Sequence, residues 1–198
     1  MIQTRTDLKK YLFEDKRANI YAYGVGVFCY LKHCLGNTDA YRVYKYLKAL
    51  RYYEYWLNKS NQKTVLCLRT IYKIISGICK LRLSRRSAKY NINVCRPNSL
   101  GYGFRITHIN GGVIINCEKM GNYCVANSGV VVGVKTGVEK APIIGNNVEL
   151  ATGCKVIGNV VIGDNAIVAP NSVVVKDVEP GTVVSGVPAK FIKEVRKK

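Results

Sequence analysis

In the second half of the chain an aliphatic residue recurs every six positions. Counting from Ile144, these are Ile144, Leu150, Val156, Ile162, Val168 and Val174. The residue after each is mostly small: Gly145, Ala151, Ile157, Gly163, Ala169 and Val175. Four positions beyond each stand Val148, Cys154, Val160, Ala166, Ser172 and Val178, small or β-branched again. Ile114, Met120, Ala126 and Val132 fall in the same phase upstream. A period of six suits neither an amphipathic helix nor an ordinary strand. It suits a coil with flat faces, each hexapeptide giving one short strand and a turn, and three of them closing a coil of about 18 residues. Residues 18 apart then stack, so Ile114, Val132, Leu150 and Val168 are expected to form one column. The segment VKTGVEKA interrupts the period, although Val138 stays in phase, and reads as a loop leaving the coil. Loops on a rigid scaffold commonly carry function. Residues 188–198, from Pro188 to Lys198, read as a short basic helix capping the last coil.

The first 92 residues follow a helical period instead. After a turn at Gly36 and Asn37, Tyr41, Tyr44, Leu47, Leu50 and Tyr55 share one helical face. Val65, Leu68, Tyr72, Ile75 and Cys79 repeat at three and four residues. Both stripes read most simply as helix–helix core. The expected organisation is a helical region over 1–92, a parallel β-helix over 93–187 and a terminal helix over 188–198.

Charge sharpens that division. The net charge is +19, and residues 1–92 hold 19 Lys and Arg against 5 Asp and Glu. Of 14 tyrosines, 12 lie before residue 93. Arg69, Lys73, Lys80, Arg82, Arg85, Arg86 and Lys89 would suit anionic lipid headgroups, giving peripheral membrane contact; a solvated basic face is the alternative. A membrane span is not expected, because Arg69, Lys73 and Lys80 break the most apolar stretch, Val65 to Leu83. The opening MIQTRTDLKKYLFEDK is charged where a signal peptide needs an apolar core, which predicts a cytoplasmic protein. No nucleic-acid motif accompanies the charge, so nucleic acid is not an expected partner. None of the eight cysteines forms a C-x-x-C pair, and they read as buried thiols. Only two histidines are present, His33 and His108. A β-helix enzyme holding zinc through three histidines, as γ-type carbonic anhydrases do, is thereby excluded, and no metal is expected.

His108 stands in GYGFRITHINGGVIIN at the mouth of the repeat. Histidine accepts a proton near neutral pH, and a hydroxyl is a poor nucleophile until a base takes its proton. A histidine satisfied in a cap is the other reading. With GYGFRITHINGGVIIN, VVVGV, APIIGNNVELATGCKVIGNVVIGDNAIVAPNSVV and SGVPAK, residues 101–192 resemble the serine acetyltransferase branch of the hexapeptide-repeat acyltransferases. More closely, they resemble the O-acetyltransferases of capsule and exopolysaccharide synthesis.

The resemblance implies an α+β chain: helices, then a left-handed parallel β-helix. It implies acetyl-CoA as donor, His108 as general base, direct transfer, and a homotrimer with sites between neighbouring β-helices. It places Gly133, Ala151, Thr152, Ala169 and Pro170 along the CoA groove, with Lys190 toward a CoA phosphate. Tyr102, Arg105, Asn110 and Asn127 are candidates for the acceptor pocket. Two positions depart from serine acetyltransferases. Thr107 stands where those enzymes have an Asp, and Ala141 where they have a second His. Both departures point to a sugar or glycan hydroxyl as acceptor. Serine O-acetylation, N-acetylation of an amino sugar and a non-catalytic basic binder are the alternatives.

Overall fold

A computed structural model describes residues 1–22, 27–62, 65–137 and 140–195. The helices are α1 (Arg5–Ile20), α2 (Val27–Leu35), α3 (Asp39–Asn61) and α4 (Leu66–Tyr90). Thr4 opens α1 with a reciprocal cap: its hydroxyl accepts from the Asp7 N–H, and the Asp7 carboxylate accepts from the Thr4 N–H. Such a box satisfies donors that the first turn leaves without partners. α4 ends at Asn91, which adopts the left-handed conformation and donates its N–H to the Ser87 carbonyl. Strand β1 opens two residues after α4 ends.

The remainder is a left-handed parallel β-helix of about five coils. The first coil holds β1 (Ile92–Val94), a bridge at Leu100 and β2 (Arg105–Ile106). The second holds β3 (Val113–Ile115), β4 (Lys119–Met120) and β5 (Val125–Ala126); the third holds β6 (Val131–Gly133), β7 (Ile143–Ile144) and β8 (Glu149–Leu150). The fourth holds β9 (Lys155–Ile157), β10 (Val161–Ile162) and β11 (Ile167–Val168). The fifth holds β12 (Val173–Val174), a bridge at Val178 and β13 (Thr182–Gly186), followed by β14 (Ala189–Glu194). Three flat sheets result: β1-β3-β6-β9-β12, β4-β7-β10, and β2-β5-β8-β11-β13-β14. The six-residue positions point inward, with Ile144, Leu150, Val156, Ile162, Val168 and Val174 all buried, as are the small residues four places on.

Stacking departs from the predicted column at two points. Ile115, not Ile114, points inward in the second coil, because only five residues separate Ile115 from Met120; Ile114 is exposed. Val132 pairs with Val156, not with Leu150. The segment between β6 and β7 adds six residues, so it preserves the hydrophobic phase and moves each later residue one face onward. Leu150 therefore stacks between Ala126 and Val168 on a different sheet from Val132. Residues 134–137 and 140–142 of this segment form no strand. Val138 lies outside the described residues.

The predicted terminal helix is instead strand β14, which pairs antiparallel with β13. The last coil exposes an edge of backbone N–H and C=O groups, and a returning strand satisfies them where a helix would not.

At the other end the helices fill the edge of the first coil with side chains. The Tyr46 hydroxyl accepts from the Val94 N–H at 3.0 Å. Arg51 donates to the Leu100 and Gly101 carbonyls at 3.0 and 2.6 Å. Asp15 accepts from the Gly103 N–H at 2.8 Å, and Glu54 from the Asn98 N–H at 2.7 Å. The Asn19 amide donates to the Phe104 carbonyl and accepts from the Ile106 N–H. These groups stand where the backbone of a preceding coil would be.

Cys117, Cys124 and Cys154 are buried in the β-helix, whereas Cys67 and Cys95 are exposed. Burial pushes the thiols of Cys117 and Cys154 up to about 12 and that of Cys124 up to about 11. Thiolate is the reactive form. In the native protein an aromatic disulfide reagent at pH 8 is expected to label Cys67 and to leave these three untouched until denaturant is added. Rapid native labelling of Cys154 would contradict the packing.

Candidate functional site

One edge of the prism gathers most of the predicted site. It joins the β2-β5-β8-β11-β13 sheet to the β1-β3-β6-β9-β12 sheet. Backbone bonds stack it coil upon coil: Thr107 N–H to the Ala126 carbonyl, Asn127 to Leu150, Ala151 to Val168, and Ala169 to Val184. His108 lies at the foot of this ladder, in the turn after β2, and is exposed. Asn127, Ala151, Thr152, Ala169 and Pro170 follow upward. Lys190, on β14, pairs with Ser185 at the top. Five strand spacings separate β2 from β14, about 24 Å.

Local chemistry fixes the turn that carries His108. Gly112 has φ +72, and a Cβ there would meet the Asn91 amide at 2.6 Å, so a side chain is excluded. The Gly111 N–H donates to the Ser128 hydroxyl at 2.7 Å. The Thr107 hydroxyl donates to the Asn127 side-chain oxygen. The Lys155 ammonium donates to the Gly129 carbonyl at 2.5 Å. Ser128 and Lys155 are supports that the sequence reading missed; each acts on the turn of an adjacent coil, and no local pattern marks them. Among the described residues no side chain hydrogen-bonds the His108 ring. Thr107 is itself engaged with Asn127.

Other predicted residues lie elsewhere. Gly133 ends β6 on a different edge, where its carbonyl accepts from the Gly158 N–H. Tyr102 precedes β2, on the far side of that strand from His108. There it packs edge-on against Tyr11 and Tyr123, with centroids 5.5 and 5.3 Å away, and lies under the Lys10 ammonium. It holds α1 to the β-helix. Arg105 sits on β2 itself, half-buried, and Asn110 is exposed in the turn after His108. Ala141 is buried where the loop returns to the coil; its N–H donates to Glu118, which also pairs with Arg96. Among the described residues, no cluster of His, Cys, Asp and Glu could hold a metal ion.

The short inward aliphatics, parallel coils and flat faces define a hexapeptide-repeat β-helix. A family model, "Bacterial transferase hexapeptide (six repeats)", matches residues 141–176. The chain is 34% identical over 118 residues to the serine acetyltransferase of Buchnera aphidicola subsp. Schizaphis graminum, covering 57% of this chain and 44% of that protein. It is 38% identical over 95 residues to the serine acetyltransferase of Synechococcus elongatus, covering 47% and 39%. The chain thus spans less than half the length of these relatives. The crystal structure of Neisseria gonorrhoeae serine acetyltransferase superposes with a TM-score of 0.69 at 26% identity, covering 98% of this chain and 67% of that one. These matches correct the sugar-hydroxyl reading drawn from Thr107 and Ala141, because these relatives, by sequence and by fold, are serine acetyltransferases. Two changed side chains weighed less than likeness across the repeat.

Proposed function

We propose that the protein is an acetyl-CoA-dependent O-acetyltransferase with serine as acceptor, working as a homotrimer. The observation that carries this reading is the single prism edge with His108 at its foot and Lys190 at its top, in a chain matched to serine acetyltransferases. Small residues suit a groove for the extended arm of CoA: Ala151 and Ala169 leave the edge uncluttered, and Lys190 is exposed to meet a phosphate. His108 takes the proton of the serine hydroxyl as its oxygen attacks the thioester carbonyl carbon. The new C–O bond forms, the C–S bond breaks, and the proton passes from His108 to the departing sulfur. Backbone N–H groups of the turns are suited to polarise the thioester carbonyl. In a trimer, the open side of this edge would be closed by the neighbouring β-helix.

Thr107 supplies no carboxylate to orient the His108 ring, so orientation falls to the substrate and the neighbouring copy. A rate below that of the Asp-containing enzymes is expected. Thiol release from acetyl-CoA with and without free serine tests the reading. Serine-dependent release with O-acetylserine in the product supports it. Protein that binds acetyl-CoA yet releases no thiol with serine would remove serine as acceptor.

A further inference from the structure

We propose that the outward face of α4 is an interfacial surface that lies on anionic lipid bilayers. The sequence reading took the α4 stripe Val65, Leu68, Tyr72, Ile75 and Cys79 as core. In the structure only Tyr72, Ile75 and Cys79 turn inward; Val65 and Leu68 are exposed. A second stripe, Ile71, Ile74, Ile78 and Leu81, runs along the neighbouring face and is exposed throughout; Ile78 lies at its inner margin, and Ile74 and Leu81, farthest from the packed side, are 60% and 54% exposed. At 100° per residue these four share one face. Exposed Lys73 and Lys80 flank one side of it and exposed Arg82 the other, while exposed Arg85 and Lys89 continue the same face beyond Leu81. The helix carries seven Lys and Arg and no acidic residue.

Nearby, α2 adds a second acid-free apolar surface, with Phe28 and Leu35 at 89% and 86% exposure. Tyr30 of α2 lines a groove together with Tyr41 and Trp56 of α3 and Ile78 and Arg82 of α4. Aromatic residues with one polar end suit the boundary between headgroups and acyl chains.

The charge decides the occupant. A second copy of α4 would cover the apolar stripe, but it would bring seven more cations and no carboxylate, whereas paired helices match opposite charges at their flanks. An anionic bilayer offers an apolar layer for the stripe and negative headgroups for the cations on both sides. Over 25 residues the helix lies along about 37 Å of surface. No described helix is long and apolar enough to cross a membrane, so α4 lies on the bilayer and does not span it.

Flotation of the full chain with phosphatidylcholine vesicles, with and without phosphatidylglycerol, tests this independently of the acetyl-transfer reading. Binding to the anionic vesicles is expected to exceed that to the neutral ones by about tenfold or more and to fall steeply with added salt. The double variant Ile74→Asp/Ile78→Asp should lose that binding, and Lys73→Gln/Lys80→Gln/Arg82→Gln should weaken it and flatten its salt dependence. Both variants should keep wild-type circular dichroism and thiol release. Equal binding to both vesicle types, or anionic binding that survives both variants, overturns the proposal. So does light scattering that shows Ile74→Asp/Ile78→Asp halving the assembly mass, since the stripe would then be covered by another copy.

Discussion

Replacing His108 with Ala should lower turnover by about 10²–10⁴ while leaving acetyl-CoA binding and the fold intact. The expectation follows from where the residue stands. His108 is exposed in a turn fixed by Gly112 and by the Gly111–Ser128 bond, and its side chain makes no hydrogen bond among the described residues. Removing the imidazole therefore opens no cavity and breaks no bond. Ala151, Thr152, Ala169 and Pro170, proposed to line the CoA groove, lie two and three coils above and keep their places. Steady-state thiol release, with acetyl-CoA affinity and thermal unfolding measured in parallel, separates the roles. Retained turnover would remove His108 as the base. Loss of the fold would make it a structural histidine.

The second large effect is on stability. Arg51→Ala is expected to cost about 3–5 kcal/mol, the usual cost of breaking a buried ion pair from one side. Arg51 is fully buried, 2.8 Å from Asp15 and 3.1 Å from Glu54. Its loss strands two carboxylates and the carbonyls of Leu100 and Gly101. Burial already pushes the Asp15 and Glu54 carboxyls above their ordinary range, with Arg51 opposing it. Without Arg51 they rise further. A carboxyl raised in the folded state holds more protons there than in the unfolded chain, so stability falls as pH rises through that window. The variant's deficit should thus shrink as pH drops from neutral toward the ordinary carboxylate range. Urea unfolding at neutral and mildly acidic pH checks both magnitude and sign. A loss under about 1 kcal/mol would mean that the cluster contributes little.

These predictions differ in how far sequence alone reached them. The period of six announced the β-helix, because inward aliphatic positions must repeat wherever a coil closes. The same periodicity hid the face shift. An insertion of six residues leaves the phase intact, so Val132 and Leu150 looked like one column when they lie on two sheets. His108 was singled out from its place at the mouth of the repeat and the company it keeps, and the structure sets it exposed in the turn after β2. The supports around it were not, because Ser128 and Lys155 act through turns of adjacent coils and have no local pattern.

In the helices, periodicity marked the elements but not their faces. Apolar residues occupy both sides of α4, so spacing could not say that Ile71, Ile74, Ile78 and Leu81 point outward. Nothing in the helical spacing marks Asp15, Asn19, Arg51 and Glu54 as buried, yet all four are. Their burial follows from an edge they satisfy some 40 to 90 residues away in the chain, as the Arg51–Leu100 and Asn19–Ile106 bonds show. The terminal segment was misread because GVPAKFIKE carries basic residues at spacings a helix also allows. The unpaired edge of β13 decided the matter.

Parallel coils present at one end the edge that they accept at the other, so an uncovered stack could add copies end to end without limit, as heterologous contacts do when no rotation closes them. At the foot, Tyr46, Arg51, Asp15, Asn19 and Glu54 already occupy the backbone groups another molecule would seek. At the top, β14 runs against the direction of its sheet and offers the wrong polarity for a further parallel strand. Extension of the β2-β5-β8-β11-β13 sheet by further parallel strands is thereby blocked at both ends.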